Sequence, residues 1–112
     1  MAEAALVLAV LLAAANSFLG ERYILMRLFR RDDLPKLFGG TAFTTRTLRF
    51  AWHLTSVAWL GLAAALLAPA RVAEVVALTF GISGLAALAG SRGRHLSWIV
   101  FFAIAALAWA AR

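Results

Sequence analysis

Four apolar stretches, almost free of charged residues, dominate this sequence and run over about residues 2–29, 44–68, 70–90 and 95–111. Hydrophobic residues make up 64% of the 112 residues and charged residues 14%, against about 25% charged in soluble domains. In lipid the backbone of such a stretch must form its hydrogen bonds internally, which favours the α-helix. The sequence therefore predicts an all-α integral membrane protein, with four antiparallel transmembrane helices in a compact bundle and a single domain over residues 1–112.

The basic residues predict how these helices are oriented. Nine of the eleven lie in or beside the first and third connections, namely Arg22, Arg27, Arg30, Arg31, Lys36, Arg46, Arg49, Arg92 and Arg94. The positive-inside rule places both connections in the cytoplasm of a bacterial-type inner membrane and both termini outside. Within the first connection, Leu34, Leu37 and Phe38 predict one short interfacial turn, and the run Asp32–Pro35 is typical of a new helix start.

The net charge of +6 has an ordinary explanation in a membrane protein. Arginine and lysine at helix ends set orientation and contact anionic lipid head groups, which we expect as partners. No aromatic-interleaved basic module is present, so nucleic acid is not an expected partner. Gly61, Gly81 and Gly84 are small residues that let helices approach closely. Because so small a bundle has little interior, a homodimer or a larger membrane complex is also expected.

Polar residues inside apolar helices are costly and call for a reason. In the second stretch four of them follow at spacings of three, four and three residues, which places them on one helical face. Two more lie near the inner end of the first stretch. The predicted ligand-binding set is Asn16, Glu21, Arg46, Arg49, His53 and Ser56.

Two hypotheses explain this set. In the first, the chain is a multi-pass protein that binds or moves a small ligand or ion through a polar pocket facing the cytoplasm. His53 and Glu21 then handle protons or a cation, Arg49 and Arg46 hold an anionic group, and a carboxylate at Glu21 pairs with one of these arginines. In the second, the chain is an accessory subunit of a larger complex, and the same residues only hold helices together.

The two histidines, His53 and His95, leave a haem or metal site as a further alternative, although the first expectation is that no cofactor is bound. Haem is disfavoured because His53 is expected to lie about 7–10 Å deeper than His95, at 1.5 Å of rise per residue. A metal would need Glu21 as a third ligand. No Ser–His–Asp set, nucleotide-binding glycine loop or carboxylate pair is visible, which favours a protein that is not an enzyme.

The size and helix count resemble those of the small multidrug transporters. That resemblance implies a carboxylate deep in the first helix, and this chain has only Glu3 and Glu21, at the two ends of that helix. Two strings, at 16–20 and 39–45, are similar to pieces of the small fluoride channels but occur in the wrong order. We therefore identify no family from the sequence.

Overall fold

The computed structural model describes all 112 residues and contains four helices and no strands. Helix α1 is Ala2–Leu28, α2 is Ala42–Leu67, α3 is Val72–Ser91 and α4 is Ser97–Ala110. A single 3₁₀ turn, Pro69–Arg71, leads into α3. No helix end lies more than two residues from its predicted position, so the four predicted helices are confirmed.

Three of these helices, α1, α2 and α3 with its 3₁₀ turn, are long and apolar enough to cross a membrane. Helix α4 has 14 residues, which gives about 21 Å at 1.5 Å per residue, against a hydrocarbon core of about 30 Å. It is shorter than predicted because the turn after α3 continues through His95 and Leu96. Arg92 takes a left-handed conformation there, and the Ser91 hydroxyl accepts a hydrogen bond from the His95 backbone N–H at 3.1 Å.

The helices form a row in chain order. The backbone of α1 lies against that of α2, α2 against α3, and α3 against α4, whereas α1 approaches neither α3 nor α4 and α2 does not approach α4. The molecule measures 48 × 30 × 14 Å, and 14 Å is about the thickness of one helix with its side chains. The structure does not support the predicted compact bundle, because the side chains on both faces of this layer point outward and only 11 residues are buried.

Glycines set the separation of neighbouring helices. At four positions a side chain of the next helix occupies the space that a glycine leaves free, in the pairs Gly20 with Trp52, Gly61 with Thr79, Gly84 with Phe102 and Gly90 with Phe50. A β-carbon built on Gly84 or Gly90 would come within 2.7 Å of the facing phenylalanine. Each pair of neighbouring helices therefore has at least one contact that requires glycine.

The first connection contains a tight turn and no helix. Leu37 and Gly40 exchange backbone hydrogen bonds of 2.9 and 3.4 Å, and Phe38 and Gly39 between them have φ angles of 56° and 89°. These angles are those of a type I′ turn, in which glycine tolerates the second positive φ without strain. The short turn predicted here is therefore present.

The helix start predicted at Asp32–Pro35 is wrong. The Asp33 carboxylate binds the Arg31 side chain through two hydrogen bonds of 2.8 and 2.7 Å instead of capping a helix. These hydrogen bonds hold the pKa of the Asp33 carboxyl below its usual range. The next helix begins only at Ala42.

The glycine contacts give a matched pair of variants. We expect Gly84→Ala to lower the free energy of unfolding by about 1–3 kcal/mol, because its methyl group would overlap the Phe102 ring. Gly81→Ala should have little effect, since its β-carbon would lie 4.0 Å from Ala105. Reversible unfolding in mixed micelles measures both. Equal effects of the two substitutions would contradict packing against α4 as the cause, because the gain in helix propensity from Gly to Ala is about the same at both positions.

Candidate functional site

Polar side chains of α1 and α2 meet in one hydrogen-bonded cluster. Helix α1 supplies Asn16, Ser17 and Glu21, and α2 supplies Arg49, Trp52, His53, Thr55 and Ser56. We call these eight residues the polar cluster. Five of the six residues predicted from the sequence belong to it, and Arg46 is the exception.

The hydroxyl and amide groups at the Asn16 end of the cluster have defined donors and acceptors. The Asn16 amide nitrogen donates to the hydroxyl oxygens of Thr55 and Ser56, both at 2.9 Å. Ser56 donates its only hydroxyl hydrogen to the Ala13 carbonyl at 3.0 Å. Since the Ser17 and Ser56 oxygens lie 2.7 Å apart, Ser17 must be the donor in that pair.

The same reasoning fixes one proton on His53. Its Nδ1 lies 2.9 Å from the Ser17 hydroxyl oxygen. Because the Ser17 hydrogen already goes to Ser56, His53 Nδ1 must donate to Ser17. On the other side of the ring, Nε2 lies 3.2 Å from Glu21 Oε2. A hydrogen bond at that distance requires one proton, carried either by the imidazole or by the carboxyl group.

Arg49 completes the ionic end of the cluster. Its Nε lies 2.8 Å from Glu21 Oε1, so the carboxylate lies between a guanidinium and an imidazole. The exposed fractions of the side chains are 32% for Glu21, 33% for His53 and 47% for Arg49. The ionic end of the cluster is therefore accessible to small molecules at the surface of the chain, whereas Ser56 is buried.

The backbone of α1 is irregular at this site. Residues Gly20–Leu25 form a π-helical segment, in which the Met26 N–H bonds to the Glu21 carbonyl. The Trp52 indole occupies the space beside Gly20, and its Nε1 donates to the Asn16 carbonyl at 2.9 Å. Such π segments occur mostly as single turns and frequently at functional sites.

Arg46 lies outside the polar cluster. It lines a separate cavity of about 200 Å³ together with Arg94 and the 37–40 turn. The sequence left Arg46 and Arg49 as possible partners of Glu21, and in the structure the partner is Arg49. Nor does Arg46 form an ion pair with any other residue of the chain.

The two histidines lie in different surroundings. His95 stacks on Phe43 with a centroid distance of 5.7 Å, and its Nδ1 lies 2.8 Å from the Ser97 hydroxyl. His53 faces α1 instead. No three His, Asp or Glu side chains converge as metal ligands would, and His53 with Glu21 makes only two. These residues do not fit the haem or metal alternative.

Three members of the polar cluster are missing from the predicted set: Ser17, Trp52 and Thr55. Ser17 lies four residues before Glu21, on the same face of a regular helix, and this spacing was a usable signal. Trp52 acts through the space beside Gly20, which no sequence pattern reveals.

A cleft of about 470 Å³, mainly apolar, lies between α2, α3 and α4. Thr55 lines this cleft and also accepts a hydrogen bond from Asn16.

Ser56 and Ser83 test the hydrogen-bond directions, since both are buried. Ser56→Ala leaves the Ser17 hydroxyl and one Asn16 N–H without an acceptor, and we expect a loss of about 1–3 kcal/mol in the free energy of unfolding. Ser83 only donates to the Thr79 carbonyl of its own helix, at 2.8 Å, so Ser83→Ala should be nearly neutral. Unfolding in mixed micelles measures both, and a neutral Ser56→Ala would contradict the network.

No protein-family model matches this chain, and comparisons with curated proteins and with solved structures find no similar protein.

Proposed function

We propose that the chain is a multi-pass protein of a bacterial-type inner membrane, with its helices antiparallel across the bilayer. Three long apolar helices support insertion. The bias of nine among eleven basic residues supports cytoplasmic first and third connections and external termini. Helix α4 then crosses where tilt or local thinning of the bilayer accommodates its shorter length.

In this orientation the ionic end of the polar cluster faces the cytoplasm. We propose that this site binds a small ligand or ion, and that the ion is a proton. The observation that carries the proposal is the contact of 3.2 Å between His53 Nε2 and Glu21 Oε2, where a hydrogen bond needs a proton on one of the two groups.

Proton exchange at this pair changes how α1 is held. With the proton in place, His53 bridges Ser17 and Glu21 of α1 from its position on α2. Without it, a ring nitrogen lone pair would face a carboxylate, and the two atoms would separate. The proton therefore strengthens the contact between the two helices at their cytoplasmic ends.

Arg49 supplies the second half of the proposed site. Only its Nε engages Glu21, while the guanidinium lies over the Phe29 ring at 4.9 Å. Its two Nη groups make no hydrogen bond within the chain, and a planar fork of this kind suits a carboxylate or phosphate ligand. Binding of such an anion would draw Arg49 from Glu21, which couples anion binding to the shared proton.

Nitrogen-15 resonances of the two histidines, in labelled protein in micelles, test this proposal. Across a pH series, we expect the His53 Nε2 resonance to respond while Nδ1 stays protonated. Glu21→Gln should change the pH response of His53 and leave that of His95 unaltered, because His95 has no carboxylate partner. A His53 ring that does not respond to pH, or that loses its Nδ1 proton instead, would overturn the proposal.

An accessory subunit is the second candidate, and the flat shape of the chain supports it. A layer 14 Å thick has two broad faces, and most of its large apolar side chains are exposed on them. Helix α1 packs on α2 alone, which leaves the rest of its surface for lipid or for another protein.

Gentle extraction distinguishes the two candidates. An accessory subunit predicts a native particle far larger than a monomer or dimer, measured as mass after extraction in a mild detergent or polymer. We expect Ser56→Ala to reduce the recovered amount of that particle in proportion to the fraction of the chain that it unfolds, and no further. Recovery of monomers or dimers alone would contradict the accessory role and leave the ligand site as the function.

A further inference from the structure

We propose that the cavity lined by Arg46 and Arg94 binds a phosphate group. We call it the arginine cavity, and its volume is about 200 Å³. Arg46 comes from the first turns of α2 and Arg94 from the turn between α3 and α4, while the 37–40 turn and Phe43 form the rest of the wall. Parts of the chain that are distant in sequence thus bring two arginine side chains to one cavity.

The charges of the cavity call for an anion. Neither arginine forms an ion pair within the chain, and four of the five acidic residues are engaged elsewhere, with Met1, Arg31, Arg49 and Arg71. Two positive groups that share a cavity repel each other, and this cost falls when an anion lies between them. No acidic side chain lines the arginine cavity.

Phosphate is the anion that this geometry suits. Guanidinium groups bind phosphate oxygens through two parallel N–H donors, and two guanidinium groups can hold separate oxygens of one phosphate. A water molecule occupies about 30 Å³ of liquid volume, so the cavity is several times larger than a single water requires. The space suits a tetrahedral anion with part of its hydration shell.

An aromatic stack holds the walls in place. Phe38 of the turn packs edge-on against Phe43 at 4.9 Å, Phe43 stacks on His95 at 5.7 Å, and His95 contacts Phe50 at 5.3 Å. The stack ties the first connection, α2 and the turn after α3 together. It therefore holds together the backbone segments that carry Arg46 and Arg94 before a ligand arrives, which reduces the ordering cost of binding.

Two sources supply this chemistry: the phosphodiester of an anionic lipid head group, and phosphate free in the cytoplasm. Both reach this end of the helices in the proposed orientation. Both sources rest on the proposed orientation, whereas neither depends on the proton shared by His53 and Glu21.

Binding of two probes to the purified protein in micelles tests the inference: phosphatidylglycerol, followed by native mass spectrometry, and inorganic phosphate, followed by calorimetry. We expect wild-type protein to bind at least one probe. Arg46→Gln and Arg94→Gln should each weaken that binding about tenfold, because each removes one charge-assisted interaction. Arg92→Gln is the matched control, since Arg92 is exposed two residues from Arg94 and does not line the cavity.

The outcomes separate the sources. Binding of phosphatidylglycerol alone identifies a lipid site, and binding of inorganic phosphate as well shows that a free phosphate group suffices. The inference is overturned if wild type binds neither probe, or if Arg92→Gln weakens binding as much as Arg94→Gln, which would indicate a general charge effect. The His53 resonances of each variant show whether the helices still pack, so failure here is distinct from failure of the proton site.

Discussion

The contact between Gly20 and the Trp52 indole sets the distance between the first two helices, and the polar cluster depends on that distance. Any side chain at position 20 would collide with the ring. With the indole seated there, the Asn16 and Ser17 side chains reach Ser56 directly, without an intervening water. The same principle repeats along the row, where glycines receive Thr79, Phe102 and Phe50. Packing of this kind holds helices together in lipid, where burial of apolar surface between helices adds little.

The polar cluster has one unsettled position in an otherwise determined network. From the Ala13 carbonyl outward, every hydroxyl and amide hydrogen has a single assignment, which ends at the Nδ1 proton of His53. Only the proton between His53 Nε2 and Glu21 has two places to reside. That proton lies between a side chain of α2 and a side chain of α1, so any change in it acts directly on the contact between the two helices.

The sequence predicts the helices well because long apolar runs bounded by Gly, Pro and charge leave few alternatives. Pairing of Glu21 with either Arg46 or Arg49, and the place of His53 on the same face of α2, also follow from helical spacing and the need to pair a carboxylate; the choice of Arg49 does not. The arrangement of the four helices in a single row does not follow from the sequence. A leucine of α1 or α4 that faces lipid cannot be told by its sequence pattern from one that faces a neighbouring helix. A bundle and a row therefore have the same apolar pattern in the sequence. The π-helical segment and the capture of Asp33 by Arg31 depend on local contacts that propensities do not encode.

A row of helices comes apart differently from a bundle. In a bundle, a common core compensates for the loss of one contact between helices. Here each contact between neighbouring helices is the only packing contact between the helices on its two sides. Loss of the contact between α1 and α2 would therefore leave all the mutual contacts of α2, α3 and α4 in place. The proposed proton site lies at this one contact, between the end helix of the row and the other three.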